Sequence, residues 1–172
     1  MGMGDNIVLI GMPASGKSTV GVILAKLMAY DFIDTDLLIQ RREGMPLSAI
    51  IEERGIDGFL EVEASVCRAL QASRSVIATG GSVVYGAEAM AHLKTLGPVV
   101  LLDVEREALL RRLTDVQGRG VVLRPGQTVE QLYDERMPLY RRYADITVPE
   151  GEGTLEDTVA AALAAIQKDR GI

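Results

Sequence analysis

Residues 11–18 read Gly-Met-Pro-Ala-Ser-Gly-Lys-Ser, between an apolar run at 7–10 and a stretch with helical spacing at 20–28. A strand, a glycine-rich turn and a helix in this order form the context of a phosphate-binding P-loop. The glycines let backbone N–H groups turn toward a polyphosphate, and the helix N-terminus adds the positive end of its dipole. The stretch therefore predicts that the chain binds a nucleoside triphosphate.

Two side chains of this loop have separate expected roles. Lys17 is expected to reach the β- and γ-phosphates, and the Ser18 hydroxyl is expected to ligate Mg²⁺. The alternative is a glycine-rich turn that binds nothing, which the eight-residue match in the correct flanking context disfavours. The predicted nucleotide-binding residues of the loop are Gly11, Pro13, Ala14, Ser15, Gly16, Lys17, Ser18 and Thr19.

Composition limits the class of protein. The 172 residues fit one domain spanning 1–172, and the 48% of apolar residues predict a packed core. The formal charge of −6 argues against binding to nucleic acid or to an anionic membrane, because both need a basic surface. No apolar run is long enough for a signal sequence or a membrane span.

Cysteine and histidine are almost absent from the chain. Cys67 is the single cysteine, so no internal disulfide can form, and we expect a cytoplasmic protein. Its place in a helical pattern indicates a small core residue. His92 is the single histidine, which excludes most zinc sites and every Ser–His–Asp triad. No long exposed apolar stripe indicates a dimer seam, so we expect a monomer.

Short apolar runs alternate with segments of helical spacing along the whole chain. The first, third and fourth runs are continuous, as buried parallel strands are. The alternation predicts a three-layer α/β domain around a parallel sheet, and Thr154 with Asp157 predicts a capping box. Predicted strands cover 7–10, 31–33, 75–78, 99–104 and 146–148, and predicted helices cover 20–28, 37–41, 47–54, 59–71, 87–95, 106–113, 129–142 and 155–168.

Residues 115–128 interrupt this alternation with three glycines, one proline and two arginines. A loop of this length in a small domain is usually functional or disordered. In a P-loop kinase it would be a mobile lid that closes over the phosphates and excludes water. Arg119 and Arg124 could then face the triphosphate, and the Arg-Pro pair favours Arg124 as the catalytic arginine. The alternative is a surface loop without function.

Two further motifs follow predicted strands at the edge where open α/β sheets bind ligands. In the Asp-Thr-Asp stretch at 34–36, one carboxylate could hold Mg²⁺ and the other could accept the proton of an attacking hydroxyl. The alternative is that both aspartates only cap a helix. The Thr-Gly-Gly-Ser stretch at 79–82 offers backbone N–H groups to a ligand, or forms a plain turn. No Asn-Lys-x-Asp motif supports a GTPase.

Taken together, these motifs resemble those of the shikimate kinases. The chain also carries Gly58-Phe59 with Glu63, and Arg136-x-Pro-Leu-Tyr140-x-x-Ala144-Asp145, in the order and spacing of that family. The resemblance covers nearly the whole chain. It implies a nucleoside-monophosphate-kinase-like fold with sheet order 2-3-1-4-5 and a lid. It also implies transfer of the ATP γ-phosphate, with Mg²⁺, to a small alcohol.

The resemblance also implies roles for single residues. By this resemblance, Asp34 lies on the magnesium side and Asp36 contacts the acceptor hydroxyl as candidate base. Gly80 and Gly81 line the acceptor pocket. Arg136 holds the acceptor carboxylate, and Arg112 packs on the adenine.

Three positions depart from the family pattern. Leu60, followed by Glu61, stands where shikimate kinases carry an arginine that pairs with the shikimate carboxylate. Ser82 replaces a third glycine, and the lid reads Arg-Pro-Gly-Gln instead of Arg-Pro-Leu-Leu. Loss of a charge-assisted hydrogen bond costs about 1.5–3 kcal/mol, so these changes predict a retained reaction with a changed acceptor.

The altered pocket would suit an acceptor that carries both a carboxylate and an ammonium group. We therefore predict L-homoserine as the favoured acceptor, giving O-phospho-L-homoserine in threonine biosynthesis, with shikimate as the alternative. An ATP-dependent binding module or switch is the alternative from another class, and a nucleoside-monophosphate kinase would need more arginines. The predicted acceptor-binding residues are Asp36, Leu60, Glu61, Glu63, Gly80, Gly81, Ser82 and Arg136.

Three of these residues also have purely structural interpretations. Arg136 could pair with Asp134 or Glu135 on a solvated helix. Glu61 and Glu63 could be solvent-facing charges on a helix whose opposite side is apolar.

Overall fold

The computed structural model describes residues 4–114, 121–150 and 153–171. Five strands form one parallel sheet in the order β2-β3-β1-β4-β5. The strands are β1 (Ile7–Ile10), β2 (Asp31–Asp34), β3 (Ser75–Ala78), β4 (Val99–Val104) and β5 (Ile146–Glu150). The fold class and the sheet order predicted from the sequence are confirmed, and the strand ends agree to within two residues.

Helices cover both faces of this sheet. In the described ranges they are α1 (Lys17–Met28), α2 (Thr35–Glu43), α3 (Leu47–Ala69), α4 (Ala87–Leu96), α5 (Arg106–Thr114), α6 (Val129–Tyr143) and α7 (Leu155–Arg170), with a 3₁₀ turn at Val83–Tyr85. The two helices predicted at 47–54 and 59–71 are joined in α3, where only Gly55 leaves the helical conformation, with φ 73°. The capping box at Thr154 and Asp157 is confirmed.

Two cores lie on opposite faces of the sheet because successive side chains of a strand point in opposite directions. Val8 and Ile10 of β1 pack with residues of α3 to α6, whereas Ile7 and Leu9 pack with residues of α1 and α7. All four side chains are fully buried, which explains the continuous apolar run of this strand. Cys67 is buried in the first core, as predicted.

The order of the strands brings the predicted motifs to one edge. The P-loop follows β1, Asp34 ends β2, and the stretch at 79–82 follows β3, and these three strands are neighbours. A third apolar cluster contains buried residues of α2 and α3 together with Val122. Residue 122, which lies in the loop predicted at 115–128, therefore packs against these two helices. None of the helices in the described ranges combines the length and the apolar character needed to cross a membrane.

Candidate active site

The P-loop joins β1 to α1 and holds its own lysine. Lys17 Nζ donates hydrogen bonds to the carbonyl oxygens of Gly11 at 2.9 Å and Met12 at 2.8 Å, and to Ser15 Oγ at 3.3 Å. Burial lowers the pKa of Lys17 to about 8, although Asp36 opposes the shift. Because an anion favours the charged form of a nearby amine, a phosphate in the loop would stabilise the ammonium.

Ser18 and Asp34 meet beside the loop. Ser18 Oγ donates to Asp34 Oδ2 at 3.0 Å, and Asp34 Oδ1 accepts from the backbone N–H of Asp36 at 2.9 Å. Asp34 therefore caps α2, as the structural alternative predicted, and also presents an oxygen next to the Ser18 hydroxyl.

These two oxygens have the chemistry that Mg²⁺ requires. The ion usually takes one or two protein oxygens and completes its octahedron with phosphates and water. Among the described residues, no group of three or more His, Cys, Asp and Glu could hold a metal. The pair of oxygens from Ser18 and Asp34 fits an ion that is shared with the phosphates of a nucleotide.

A cavity of about 300 Å³ opens beside the P-loop and extends to α3 and α6. Phe59, Val121 and Val122 add apolar surface to its wall. The predicted site residues that line it are Pro13, Ala14, Gly16, Lys17, Ser18, Thr19, Asp36, Glu63, Gly80, Gly81, Ser82 and Arg136. One cavity thus joins the predicted phosphate-binding residues to most of the predicted acceptor-binding residues.

Two carboxyl groups face this cavity. Glu63 is only 1% exposed, and its Oε2 accepts a hydrogen bond from Ser82 Oγ at 2.5 Å. Burial raises the pKa of Glu63 to about 7. Burial, and then the neighbouring Asp34, raise the pKa of Asp36 to about 6. The interpretation of Glu63 as a solvent-facing charge is wrong, whereas Glu61 is exposed.

Arg136 is a buried cation that neutral groups hold in place. Its Nε donates to the Tyr85 hydroxyl at 3.3 Å, its Nη2 donates to the Val122 carbonyl oxygen at 3.2 Å, and it lies over the Tyr85 ring. The side chain is 1% exposed. The structural alternative, a pairing of Arg136 with Asp134 or Glu135, is wrong, because the ion pairs found in the described ranges leave Arg136 without a carboxylate.

Two glycines let these charged groups approach the backbone. A Cβ atom at position 80 would lie 2.5 Å from Glu63 Oε1 and 2.8 Å from Asp36 Oδ1. A Cβ atom at position 81 would lie 2.9 Å from Arg136 Nη1. A side chain at position 80 would therefore require Glu63 or Asp36 to move, and a side chain at position 81 would require Arg136 or Pro13 to move.

Other predicted residues lie away from this cavity. Leu60 and Glu61 line a neighbouring surface cavity behind Ser82. The Arg124 side chain is 57% exposed and its Nη2 lies 3.4 Å from Asp57 Oδ1, so the structure does not bring the predicted lid arginine to the P-loop. Arg119 lies outside the described residues.

Arg112 connects the P-loop to the end of β5. Its Nη1 donates to the Ala14 carbonyl oxygen at 3.3 Å, and its Nη2 lies 2.6 Å from Glu150 Oε1. This position beside the loop is compatible with the nucleotide role predicted for it, which stays a prediction.

Two tyrosines of the site had no role in the sequence analysis. The Tyr85 hydroxyl bonds to both Arg136 and Glu135. The hydroxyl of Tyr140, which is fully buried, donates to the Gly81 carbonyl oxygen. Tyr140 follows Arg136 by four residues, so helical spacing was a signal that both side chains share one face of α6.

Comparison with known proteins identifies the family. The family model for shikimate kinase matches residues 13–167. The shikimate kinase of Caldanaerobacter subterraneus is 35% identical over 169 residues, covering 96% of this chain and 98% of that protein. The shikimate kinase of Synechococcus sp. (strain RCC307) is 40% identical over 155 residues, covering 87% and 78%.

Solved structures agree with these matches. Shikimate kinase from Acinetobacter baumannii, in complex with shikimate, superposes with a TM-score of 0.82 at 33% identity, covering 96% of this chain and 94% of that chain. Shikimate kinase from Aquifex aeolicus superposes with a TM-score of 0.80 at 33% identity, covering 96% and 98%.

These relatives confirm one part of the functional prediction and leave another part unsupported. The chain is an ATP-dependent phosphotransferase that uses Mg²⁺, as shikimate kinases are. The relatives give no support to homoserine as the favoured acceptor or to a place in threonine biosynthesis, and they favour the alternative acceptor, shikimate. The chain belongs to the shikimate kinase family.

Proposed function

We propose that the chain transfers the γ-phosphoryl group of ATP to a hydroxyl of shikimate. The observation that carries this proposal is the buried guanidinium of Arg136, which lies in one cavity with Lys17 and Asp36 and lacks a carboxylate partner among the described residues. A buried cation of this kind is stabilised by an anionic ligand. The names of the relatives supply the identity of the acceptor.

The proposed reaction assigns a task to each group. Phosphoryl transfer depends on positioning and charge neutralisation, which the P-loop N–H groups and Lys17 would supply. Mg²⁺, held by Ser18 and Asp34, would neutralise phosphate charge. Asp36 would orient the acceptor hydroxyl and take its proton, and a pKa of about 6 leaves this carboxyl ionised at neutral pH.

A second candidate acceptor is homoserine, and two features in and beside the cavity favour it. Leu60 stands where the family carries a second arginine, and Glu63 keeps a buried oxygen without a hydrogen-bond partner. One cation and a free carboxylate oxygen suit an acceptor with a carboxylate and an ammonium group.

Replacement of Arg136 by methionine tests the carboxylate contact. We expect kcat/KM for the acceptor to fall by about tenfold to a hundredfold, because a charge-assisted hydrogen bond is lost, while the KM for ATP stays nearly constant. Coupled ADP formation measures both. Arg142→Met, an exposed arginine on the same helix, is the matched control and should behave as wild type. An unchanged acceptor KM in Arg136→Met would contradict the assignment.

A panel of acceptors tests the proposal as a whole. With ATP and Mg²⁺, shikimate should raise ADP formation with a kcat/KM about tenfold or more above that of homoserine, gluconate, AMP, CMP and UMP. A higher value for homoserine would select the second candidate. ADP formation that no acceptor accelerates would instead indicate a binding module or switch.

A further inference from the structure

Tyr85 contacts Arg136 through both its ring and its hydroxyl group. The Arg136 guanidinium lies over the Tyr85 ring, 5.3 Å from the ring centroid, and Arg136 Nε donates to the Tyr85 hydroxyl at 3.3 Å. An aromatic face attracts a cation, and more strongly where water is excluded. Arg136 is only 1% exposed, so both contacts act on a buried cation.

The two partners of the Tyr85 hydroxyl fix the direction of its hydrogen bonds. An arginine only donates hydrogen bonds and a carboxylate only accepts them, so the hydroxyl accepts from Arg136 and donates to Glu135 Oε1. Glu135 Oε2 in turn accepts from Gln127 Nε2 at 3.0 Å. Gln127, Glu135 and Tyr85 therefore form a chain of hydrogen bonds that ends at Arg136, and the bonds of such a chain polarise one another.

These contacts leave one nitrogen of the guanidinium for a ligand. Nε donates to Tyr85, and Nη2 donates to the Val122 carbonyl oxygen at 3.2 Å. Among the hydrogen bonds found in the described ranges, none involves Nη1, which would lie 2.9 Å from a Cβ atom at position 81. Gly81 and Arg136 both line the cavity of about 300 Å³ beside the P-loop, so Nη1 lies at this cavity.

Leu60 lies on the same side of Arg136 as Tyr85. Both line a second cavity beside Arg136, whose volume of about 10 Å³ holds at most one water molecule. Leu60 stands where shikimate kinases carry an arginine, and it brings no charge to this side of Arg136. The polar contact on this side comes from Tyr85 instead.

We infer that Tyr85 is a positioning residue, which holds the Arg136 guanidinium so that Nη1 faces the carboxylate of the acceptor. Tyr85 is not among the residues that line the large cavity, so it acts through Arg136. The inference rests on the proposed function, in which Arg136 binds that carboxylate. Without the hydroxyl, Nε loses its acceptor and the guanidinium loses its fixed orientation.

Replacement of Tyr85 by phenylalanine removes the hydroxyl and keeps the ring. The KM for the acceptor, shikimate or homoserine, should rise about fivefold or more, whereas kcat and the KM for ATP should stay within about twofold of wild type. Coupled ADP formation measures all three. Tyr143→Phe is the matched control and should behave as wild type, because Tyr143 also lies under an arginine, Arg142 at 5.9 Å, but does not line the cavity.

A double-mutant cycle decides whether Tyr85 acts through Arg136. In the Arg136→Met background, Y85F should change kcat/KM for the acceptor by less than about twofold, because the group that Tyr85 positions is already gone. Losses of the same factor in both backgrounds, or an unchanged acceptor KM in Y85F alone, would overturn the inference, while the proposed function would stand. Absence of acceptor-dependent ADP formation in wild type would overturn both.

Should Y85F fail to fold, replacement of Glu135 by leucine decides. Glu135 is exposed, and this change removes the carboxylate that orients the Tyr85 hydroxyl. The KM for the acceptor should rise about threefold, whereas Asp134→Leu, which removes the neighbouring exposed carboxylate on α6, should match wild type. Equal acceptor KM values in E135L and D134L would overturn the inference.

Discussion

Replacement of Lys17 by alanine will lower kcat by about 10³-fold or more. The ammonium group lies at the P-loop, where charge on the transferring phosphoryl group has to be neutralised. The fold should persist, because removal of this side chain also removes the desolvation cost of a buried cation. Coupled ADP formation and thermal unfolding measure the two effects.

A lysine on the same helix provides the control for this variant. Lys26 is exposed in the last turn of α1, so Lys26→Ala should keep the wild-type kcat. A Lys17→Ala protein that unfolds at the wild-type temperature and still retains more than about a tenth of the activity would contradict the role given to Lys17.

Replacement of Asp36 by asparagine will lower kcat by about 10²- to 10⁴-fold, the usual contribution of a positioned general base. Asparagine keeps the shape of the side chain but cannot take the proton of the attacking hydroxyl. The KM for the acceptor should therefore change by a smaller factor than kcat. Steady-state kinetics over a range of acceptor concentrations separates the two parameters.

The pH profile gives an independent measurement of the same role. The pKa of Asp36 is raised to about 6 by burial and by Asp34, and the base is active only when ionised. In wild type, kcat/KM should fall as the pH decreases through about 6. Glu63, with a pKa of about 7, titrates in the same cavity.

The two carboxyl groups can be told apart by substitution. The fall of kcat/KM at low pH is due to Asp36 if it disappears in Asp36→Asn and remains in Glu63→Gln. Asp31→Asn, an exposed aspartate on β2, should change neither kcat nor the profile. An Asp36→Asn variant that keeps kcat within about threefold of wild type would remove the general base from the account.

The fold could be predicted because its signals are local. Continuous apolar runs predict strands that are buried on both faces, and β1, β3 and β4 are such strands. The P-loop then orients β1 and α1 with respect to each other. The sheet order followed from the resemblance to a known family, since pairing between distant strands leaves no mark on a single apolar run.

The acceptor side could be predicted only in part, because burial of a charged residue depends on packing. Glu63 stands four residues after Phe59 and three residues before Val66, so it lies on the same face of α3 as the apolar residues Phe59, Val62 and Val66. This spacing was a signal that Glu63 is buried. Arg136 likewise stands four residues from both Leu132 and Tyr140, which are buried.

The sequence gives no such signal for the direction in which a side chain in a loop will point. The Arg-Pro pair favoured Arg124 as a catalytic residue, but its guanidinium pairs with Asp57 on the surface. Local sequence constrains the backbone before a proline and does not say which carboxylate the arginine will meet.

The fate of the γ-phosphoryl group is the most direct test of the central claim, that Lys17, Asp36 and Arg136 form one cavity for phosphoryl transfer to a carboxylate-bearing alcohol. Wild-type protein is incubated with Mg²⁺, ATP labelled in the γ-phosphate and shikimate or homoserine, and the products are separated. The account predicts that the label enters a phosphate ester of the acceptor in amounts equal to the ADP formed. Label found only in inorganic phosphate, at a rate that neither acceptor changes, would contradict it.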